Sequence, residues 1–166
     1  MKQSRATSLP RLANWLLLRL SLLAHRRPPD QVIGREGDDY LRRWYLIPRN
    51  RWCNVYLHHF LRSDDDRALH DHPWWNLSFL LAGSYVEHTI SAGGINVRAL
   101  RRAGDFKFRT ARSAHRVELV DGPCWTLFLT GPRLRDWGFH CPNGWVPWQR
   151  FTDSTNSGRV GPGCDA

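Results

Sequence analysis

Residues 64–83 read DDDRALHDHPWWNLSFLLAG, and their most informative feature is a pair of histidines, His70 and His72, separated by one residue. Side chains along a β-strand alternate between its two faces, so histidines at this spacing point the same way in an extended segment. The apolar run that follows ends at Gly83, which is a turn signal. The stretch therefore predicts a strand-rich region that carries two imidazoles on one face.

A third histidine, His115, lies one strand-rich stretch later in the chain. A histidine from a second strand can complete one face of a metal site with His70 and His72. Neutral imidazole binds iron, copper, nickel, zinc and manganese. The three histidines thus predict one divalent metal ion and indicate a class of metals, not a single metal.

The sequence pattern changes after residue 52, where short apolar segments alternate with turn signals such as Asp121-Gly122-Pro123. Strands are predicted at 53–62, 74–82, 84–90, 95–101, 106–109, 114–120, 124–130 and 135–140. Many short strands at regular spacing indicate an all-β sandwich or barrel.

The two histidine segments resemble the two motifs of the cupin superfamily. The first motif, G-x5-H-x-H-x3,4-E-x6-G, aligns with Asp64, His70, His72, Asn76 and Gly83. The second motif, G-x5-P-x-G-x2-H-x3-N, aligns with Gly104, Thr110, Arg112, His115 and Leu119. The three histidines and the two glycines keep the family residue. The chain is also similar to uncharacterised cupin-like proteins of bacterial and phage origin.

This resemblance implies the overall organisation of the chain. The expected fold is all-β, an RmlC-like double-stranded β-helix or jelly-roll barrel, with an N-terminal helical extension. The expected boundaries are a helical and irregular extension over 1–50, a cupin domain over 51–151 and a flexible C-terminal tail over 152–166.

Asn76 stands where the cupin motif has its glutamate ligand, so the resemblance implies a variant site with three histidines. Such sites resemble those of thiol dioxygenases and some ring-cleaving dioxygenases, which use ferrous iron and bind substrate directly. The implied function is a mononuclear non-haem Fe(II) dioxygenase acting on a small organic substrate, with Zn, Mn or Ni as other candidate metals. The Ser-His-Tyr relay of the thiol dioxygenases is absent after His115.

Two other functions stay open. One is a non-catalytic cupin that binds a small ligand or an anionic or protein partner. The other is a redox-neutral, metal-dependent isomerase or hydrolase. Cupins host many activities, so the fold by itself does not choose among these functions.

Two side chains are candidates for catalytic roles beside the metal. Asn76 has three open roles: weak ligation through its amide oxygen, a hydrogen bond to a metal-bound water, or packing. Strand alternation groups His59 with the apolar residues Cys53, Val55, Leu57 and Leu61 and so predicts that His59 faces the interior. In that position His59 is either a catalytic group or a core histidine whose ring nitrogens are hydrogen-bonded.

Glu87 is a further candidate for the missing carboxylate ligand, but only if another strand carries it inward.

Three side chains are candidates for substrate binding. Ser78 shares a strand face with Asn76 in a regular strand. Arg112 stands where cupins have a turn glycine, and its guanidinium offers a bidentate fork for a carboxylate or phosphate. Trp74 follows the histidine pair and is placed to cap the mouth of the barrel by ring stacking.

The first 25 residues are basic and then leucine-rich, which predicts a helix interrupted by Arg19. The apolar run is too short to span a bilayer. Three interpretations stay open: a helix that packs on the domain, a helix that contacts a membrane surface or a protein partner through residues 10–25, and a signal peptide. A signal peptide is the least favoured, since no A-x-A cleavage site follows.

The net charge of +9 favours anionic partners, or reflects genome composition and solubility. Only Lys2 and Lys107 are lysines, and no compact basic block is interleaved with aromatics, so a nucleic-acid partner is not expected. The four cysteines are scattered without a C-x-x-C motif, which makes a reduced cytoplasmic protein the default. A homodimer is expected from the cupin resemblance alone.

Overall fold

The structure is a computed structural model that describes residues 9–35, 37–64, 68–153 and 161–165. Within these ranges the helices are α1 (Pro10–Arg26) and α2 (Trp148–Phe151), with 3₁₀ turns at Ala92–Gly94 and Gly163–Asp165. The strands in the same ranges are β1 (Gln31–Arg35), β2 (Asp38–Tyr45), β3 (Asn54–Phe60), β4 (Leu69–His70), β5 (Asn76–Ala82), β6 (Ser84–Ile90), β7 (Asn96–Arg102), β8 (Phe106–Arg109), β9 (His115–Leu119), β10 (Cys124–Thr130), β11 (Gly138–Cys141) and β12 (Gly144–Pro147).

These strands form two six-stranded antiparallel sheets. The first has the order β1-β2-β3-β10-β5-β8 and the second has the order β12-β11-β4-β9-β6-β7. Leu80 and Cys124 of the first sheet pack against Tyr85 and Val117 of the second, which places one apolar core between the sheets. The all-β prediction is confirmed.

Helix α1 covers the outer face of the first sheet. It begins with Pro10, whose missing N–H costs nothing at the first helical position, and Arg27 beyond its end is extended ahead of Pro28. Its inward side chains, Ala13 among them, pack on Trp44, Leu57, Phe79 and Leu81 of the sheet. Of the three interpretations of the N-terminal helix, packing on the domain therefore applies to the inward side of α1. No helix in the described ranges is long and apolar enough to cross a membrane.

The inner face of the first sheet carries the polar side chains that matter for the site. Arg43 of β2 lies opposite His58 of β3, and Gln31 of β1 lies opposite Arg43. Because side chains alternate, Arg43 and His58 point away from α1, while their neighbours Trp44 and Leu57 point toward it. Strands β2 and β3 thus have the helix on one face and the barrel interior on the other.

The hairpin of β1 and β2 differs from the predicted organisation. Residues 31–45 fall inside the segment expected to be an extension, yet β2 pairs with β3 and makes the hairpin part of the sheet. Its charged residues, such as Asp38, Asp39 and Arg42, hide the apolar alternation that identifies the other strands. The barrel therefore begins at β1, about twenty residues before the predicted boundary.

The C-terminal part is tied to the second sheet by a disulfide and by a buried carboxylate. Cys141 at the end of β11 is bonded to Cys164, a pairing that the sequence did not predict. Asp71 accepts hydrogen bonds from the backbone N–H of Gly138 at 2.9 Å and from Arg135 at 2.6 Å. Residues 154–160 of the predicted flexible tail lie outside the described residues, while Thr152 and Gly163 are buried.

Candidate metal centre

Three histidine side chains converge where β4 and β9 meet. His70 lies directly opposite His115 in this strand pair, and His72 follows β4 by two residues. One ring nitrogen from each histidine lies within 4.8 Å of the others, and the Nε2 atoms of His72 and His115 are 2.9 Å apart. The fold thus brings together the three predicted ligands.

Burial favours the neutral form of all three rings. Desolvation lowers the pKa of His70, and it lowers the pKa values of His72 and His115 well below their usual range. Repulsion from neighbouring rings and from the Arg109 guanidinium acts in the same direction on His72 and His115, while Asp64 opposes it at His70. Neutral imidazole is the form that binds a metal, so little deprotonation is needed at pH 7.

Two carboxylates stand behind the histidines. Asp64 Oδ2 lies 3.8 Å from His70 Nδ1, and Glu87 Oε1 lies 3.9 Å from His115 Nδ1. Both Nδ1 atoms are buried and have no hydrogen-bond partner. Carboxylates behind metal-binding imidazoles orient the rings and raise their basicity. Three neutral imidazoles with this backing fit a divalent transition metal.

Asn76 occupies the slot of the absent glutamate but belongs to a different network. Its Oδ1 accepts a hydrogen bond from Arg109 Nη1 at 3.3 Å, and Arg109 Nη2 lies 2.6 Å from Glu87 Oε1. Arg101 Nη2 lies 2.9 Å from the second oxygen of Glu87. Asn76 therefore packs against Arg109 and does not line the cavity described below, which corresponds to packing among the three roles left open for it and not to a role at the open metal position.

Glu87 forms ion pairs with these arginines and does not belong to the histidine cluster. Desolvation acts to raise the pKa of its carboxyl, but Arg109 and Arg101 outweigh it and hold that pKa below its usual value. The carboxylate is therefore ionised and fully buried, with both oxygens engaged by guanidinium groups.

The histidines open onto a cavity of about 320 Å³ between the two sheets. Its wall is mostly aromatic and aliphatic, and its polar side chains come from β1, β2 and β3 as well as from the histidine cluster. The lining residues are Gln31, Ile33, Tyr40, Leu41, Arg43, His58, Phe60, Asp64, His70, His72, Pro73, Trp74, His115, Val117, Phe128, Trp137, Phe139, Phe151 and Thr152.

The predicted substrate-binding residues have different outcomes. Trp74 lines the cavity, as its position after the histidine pair suggested. Ser78 is buried on the inner face of β5 but lies outside the cavity lining. Arg112 is exposed in the turn before β9 and does not reach the cavity, since its turn directs the side chain to solvent.

The prediction that His59 faces the interior is wrong. Its ring stacks on Trp125 at 3.9 Å on the helix side of the sheet, whereas His58 is buried and lines the cavity. The alternation was read correctly, but both faces of β3 are buried, with Leu57 against α1 and Tyr56 toward the interior. Apolar content therefore does not distinguish the inner face from the outer face.

Sequence reasoning did not identify Arg43, His58 and Gln31 as site residues. Arg43 Nε donates to His58 Nε2 at 2.8 Å, and Arg43 Nη1 donates to Gln31 Oε1 at 3.0 Å. The available signal was the polar set Asn54, Tyr56, His58 and Arg62 on alternate positions of one predicted strand. Arg43 gave no such signal, because its strand was not predicted with a definite type.

Neither a protein-family model nor a curated protein sequence matches this chain. The structure is similar to the DMSP lyase DddQ from Ruegeria pomeroyi DSS-3, with 19% identity, a TM-score of 0.54, and 86% of this chain and 75% of that chain covered. It is similar to the Fe(II) form of HppE, with 17% identity, a TM-score of 0.52, and 63% and 57% covered. It is also similar to oxalate decarboxylase from Bacillus subtilis, studied for its Mn(II) centres, with 15% identity, a TM-score of 0.50, and 69% and 30% covered.

These likenesses show that the fold is a double-stranded β-helix, as predicted from the two motifs. The chain spans 57% of the length of HppE and 30% of the length of oxalate decarboxylase. The three neighbours differ in the reactions and metals that their names state. Their likeness to this chain therefore supports the fold assignment and does not identify the reaction.

Proposed function

We propose that this cupin-type double-stranded β-helix is a mononuclear metal-dependent enzyme, with Fe(II) as the metal and dioxygen chemistry on a small organic substrate as the reaction. The observation that carries the proposal is the convergence of three neutral imidazoles at the wall of a cavity of about 320 Å³. A cavity of this kind, with a few convergent polar groups and histidines of perturbed pKa, is the default location of an active site.

Each part of the cavity has a distinct role in this proposal. His70, His72 and His115 hold the metal, with Asp64 and Glu87 behind them. A bound ferrous ion supplies redox chemistry with dioxygen and polarises donor atoms of the substrate. Trp74, Phe128 and the other apolar wall residues exclude water, which strengthens electrostatic interactions with the substrate.

A redox-neutral metal-dependent reaction is the second candidate. The likeness with the largest coverage of this chain among those described here is to a lyase, the DMSP lyase DddQ. A three-histidine site also accepts zinc, manganese or nickel. The metal that the protein retains and its use of oxygen separate the two candidates.

Metal content of the full-length chain, measured by mass spectrometry beside His70→Ala and His115→Ala, tests the proposal. About one iron per chain, lost in both variants and kept in His59→Ala, is the expected result, since His59 lies outside the cavity. Oxygen consumption with candidate substrates then follows. Stoichiometric zinc, manganese or nickel would favour the redox-neutral reaction. Absence of metal after anaerobic reconstitution would overturn the enzyme proposal and leave a ligand-binding cupin.

A further inference from the structure

We propose that the cavity binds a small carboxylic acid whose carboxylate is held by Arg43, within reach of the three histidines. This inference names the substrate class of the proposed enzyme and so rests on that function for its catalytic meaning. The anion site itself depends on residues of β1, β2 and β3, which are separate from the candidate metal ligands.

Arg43 is built into the cavity wall. It lies on the inner face of β2 opposite His58, and its guanidinium is 4.9 Å from the ring centroid of Tyr56. The bonds to His58 at 2.8 Å and to Gln31 at 3.0 Å fix its orientation. A guanidinium has more N–H donors than these two bonds use, so a pair of them remains for a bidentate carboxylate.

Arg43 is partly buried and has no acidic partner among the described residues, unlike Arg109 and Arg101. Arg109 and Arg101 share the carboxylate of Glu87, whereas the partners of Arg43 are a neutral imidazole and an amide oxygen. Asp64, the acidic residue of the cavity wall, is engaged by Tyr40 and by the backbone N–H of Val117. A partly buried cation without a counter-charge is unfavourable, and an anionic ligand supplies that counter-charge.

Burial also disfavours the charged form of Arg43. Desolvation lowers the pKa of its guanidinium, and Tyr56, Tyr45 and Tyr40 oppose this effect without cancelling it. Among the described residues no ion pair stabilises the positive charge. The local environment favours the bound anion over the empty cavity.

His58 gives an independent sign of a ligand. Its Nε2 accepts the bond from Arg43, so the proton of the neutral ring is on Nδ1. This Nδ1 is buried and has no partner, although His58 lines the cavity with only 2% of its surface exposed. Buried donors in native proteins nearly always have a partner, and none of the described residues provides one for this Nδ1.

The cavity limits the size and the character of the acid. Its volume of about 320 Å³ is near the lower end of ligand cavities, which span roughly 300–1,000 Å³. Phe60 and Phe128 line the cavity beside His58, and Trp137 lines it beside His70. These residues fit a compact acid with an apolar body.

Calorimetric titration with matched acids and amides tests this inference. The probes are acetate, propionate, benzoate and phenylacetate, each beside its neutral amide, on the full chain with metal and after chelation. We expect at least one acid to bind about tenfold more tightly than its amide, as charge-assisted hydrogen bonds provide. The preference should be lost in Arg43→Gln, partly kept in Arg43→Lys and unchanged in Arg112→Gln, because Arg112 lies outside the cavity.

The outcomes separate this inference from the proposed function. An acid preference that survives chelation and His115→Ala, but not Arg43→Gln, supports Arg43 as the anchor even if the enzyme proposal fails. A preference that disappears with the metal assigns the carboxylate to the metal and overturns the inference. Equal affinity of acids and amides, or no binding of any probe at millimolar concentration, also overturns it. Circular dichroism confirms that each variant is folded.

Discussion

Glu87 balances the buried positive charge beside the three histidines. Its carboxylate binds Arg109 on one oxygen and Arg101 on the other, and Arg109 in turn holds the amide oxygen of Asn76. Asn76, at the position of the motif glutamate, is thus neutral. The nearby carboxylate of Glu87 pairs with two arginines. The rings of the histidine cluster stay uncharged because burial lowers the pKa values of all three histidines.

Replacing Glu87 with Gln is predicted to destabilise the fold strongly. The change leaves the buried Arg109 and the partly buried Arg101 without a counter-charge, and breaking a buried pair costs about 3–5 kcal/mol. Urea unfolding of wild type and variant measures the difference in the free energy of unfolding.

The matched control for this change is Glu118→Gln. Glu118 also contacts a histidine and arginines, but it lies at the surface with its side chain 40% exposed. Exposed ion pairs contribute about 0–1 kcal/mol, so this variant should unfold almost as wild type does. Equal losses in the two variants would show that burial of Glu87 has no special energetic role.

At the scale of elements, the sequence predicted β3 and the strands β5 to β11 because their apolar alternation and turn residues are clear, but it did not predict the short strands β4 and β12. It did not predict β1 and β2 as strands of the sheet, since four charged residues within β2 obscure the pattern. The three histidines were found from spacing alone. Arg43 was not, because its place in the cavity depends on pairing with β3, across Arg43↔His58, and pairing is a non-local property.

Helix α1 has a second apolar face that the domain does not cover. Leu12, Trp15, Leu18 and Leu22 recur at helical spacing, and Trp15 and Leu18 are 55% and 64% exposed. Arg11, Arg19 and Arg26 are exposed beside them, and the helix has no acidic residue. A basic helix with exposed leucine and tryptophan fits an anionic lipid surface, where the apolar side chains enter the interface.

We therefore expect the protein to bind vesicles that contain phosphatidylserine and to bind pure phosphatidylcholine vesicles weakly. The double change Trp15→Ser and Leu18→Ser should lower the partition coefficient about tenfold or more, because each side chain contributes about 1.5–3 kcal/mol on burial. Vesicle co-sedimentation measures this coefficient.

Leu134→Ser is the control for the vesicle experiment. Leu134 is 63% exposed, like Leu18, but lies in the loop between β10 and β11, away from the helix sequence. Its replacement should leave binding unchanged. Equal binding of the helix variant and wild type would assign any lipid affinity to the net charge of +9 and not to α1.

At the scale of the whole molecule, the barrel encloses several histidines that favour the neutral form. Burial lowers the pKa of His58 well below its usual value, and burial together with Arg42 lowers the pKa of His59 to about 4. These two lie on opposite faces of β3, so the effect arises on both sides of the first sheet. Protonation of histidine therefore opposes the fold as a whole.

This burial predicts the direction of the pH dependence of stability. Between about pH 6.5 and pH 4 the unfolded chain takes up a proton at His59 and the folded protein does not. Stability therefore falls as the pH decreases through this window, and the contribution of His59 stops changing below about pH 4, where the folded state is protonated as well. Above pH 6.5 both states carry the neutral ring, and His59 gives no pH dependence.

Replacing His59 with Gln should flatten the curve of melting temperature against pH within this window and leave it parallel to wild type above pH 6.5. Measurements with a chelator present keep metal binding out of the comparison. His25→Gln is the control for a histidine substitution as such, because His25 is exposed at the end of α1 and has no stacking partner among the described residues. Identical slopes for His59→Gln and wild type would mean that the His59 ring is solvated in the folded protein, which the 3.9 Å stacking on Trp125 argues against.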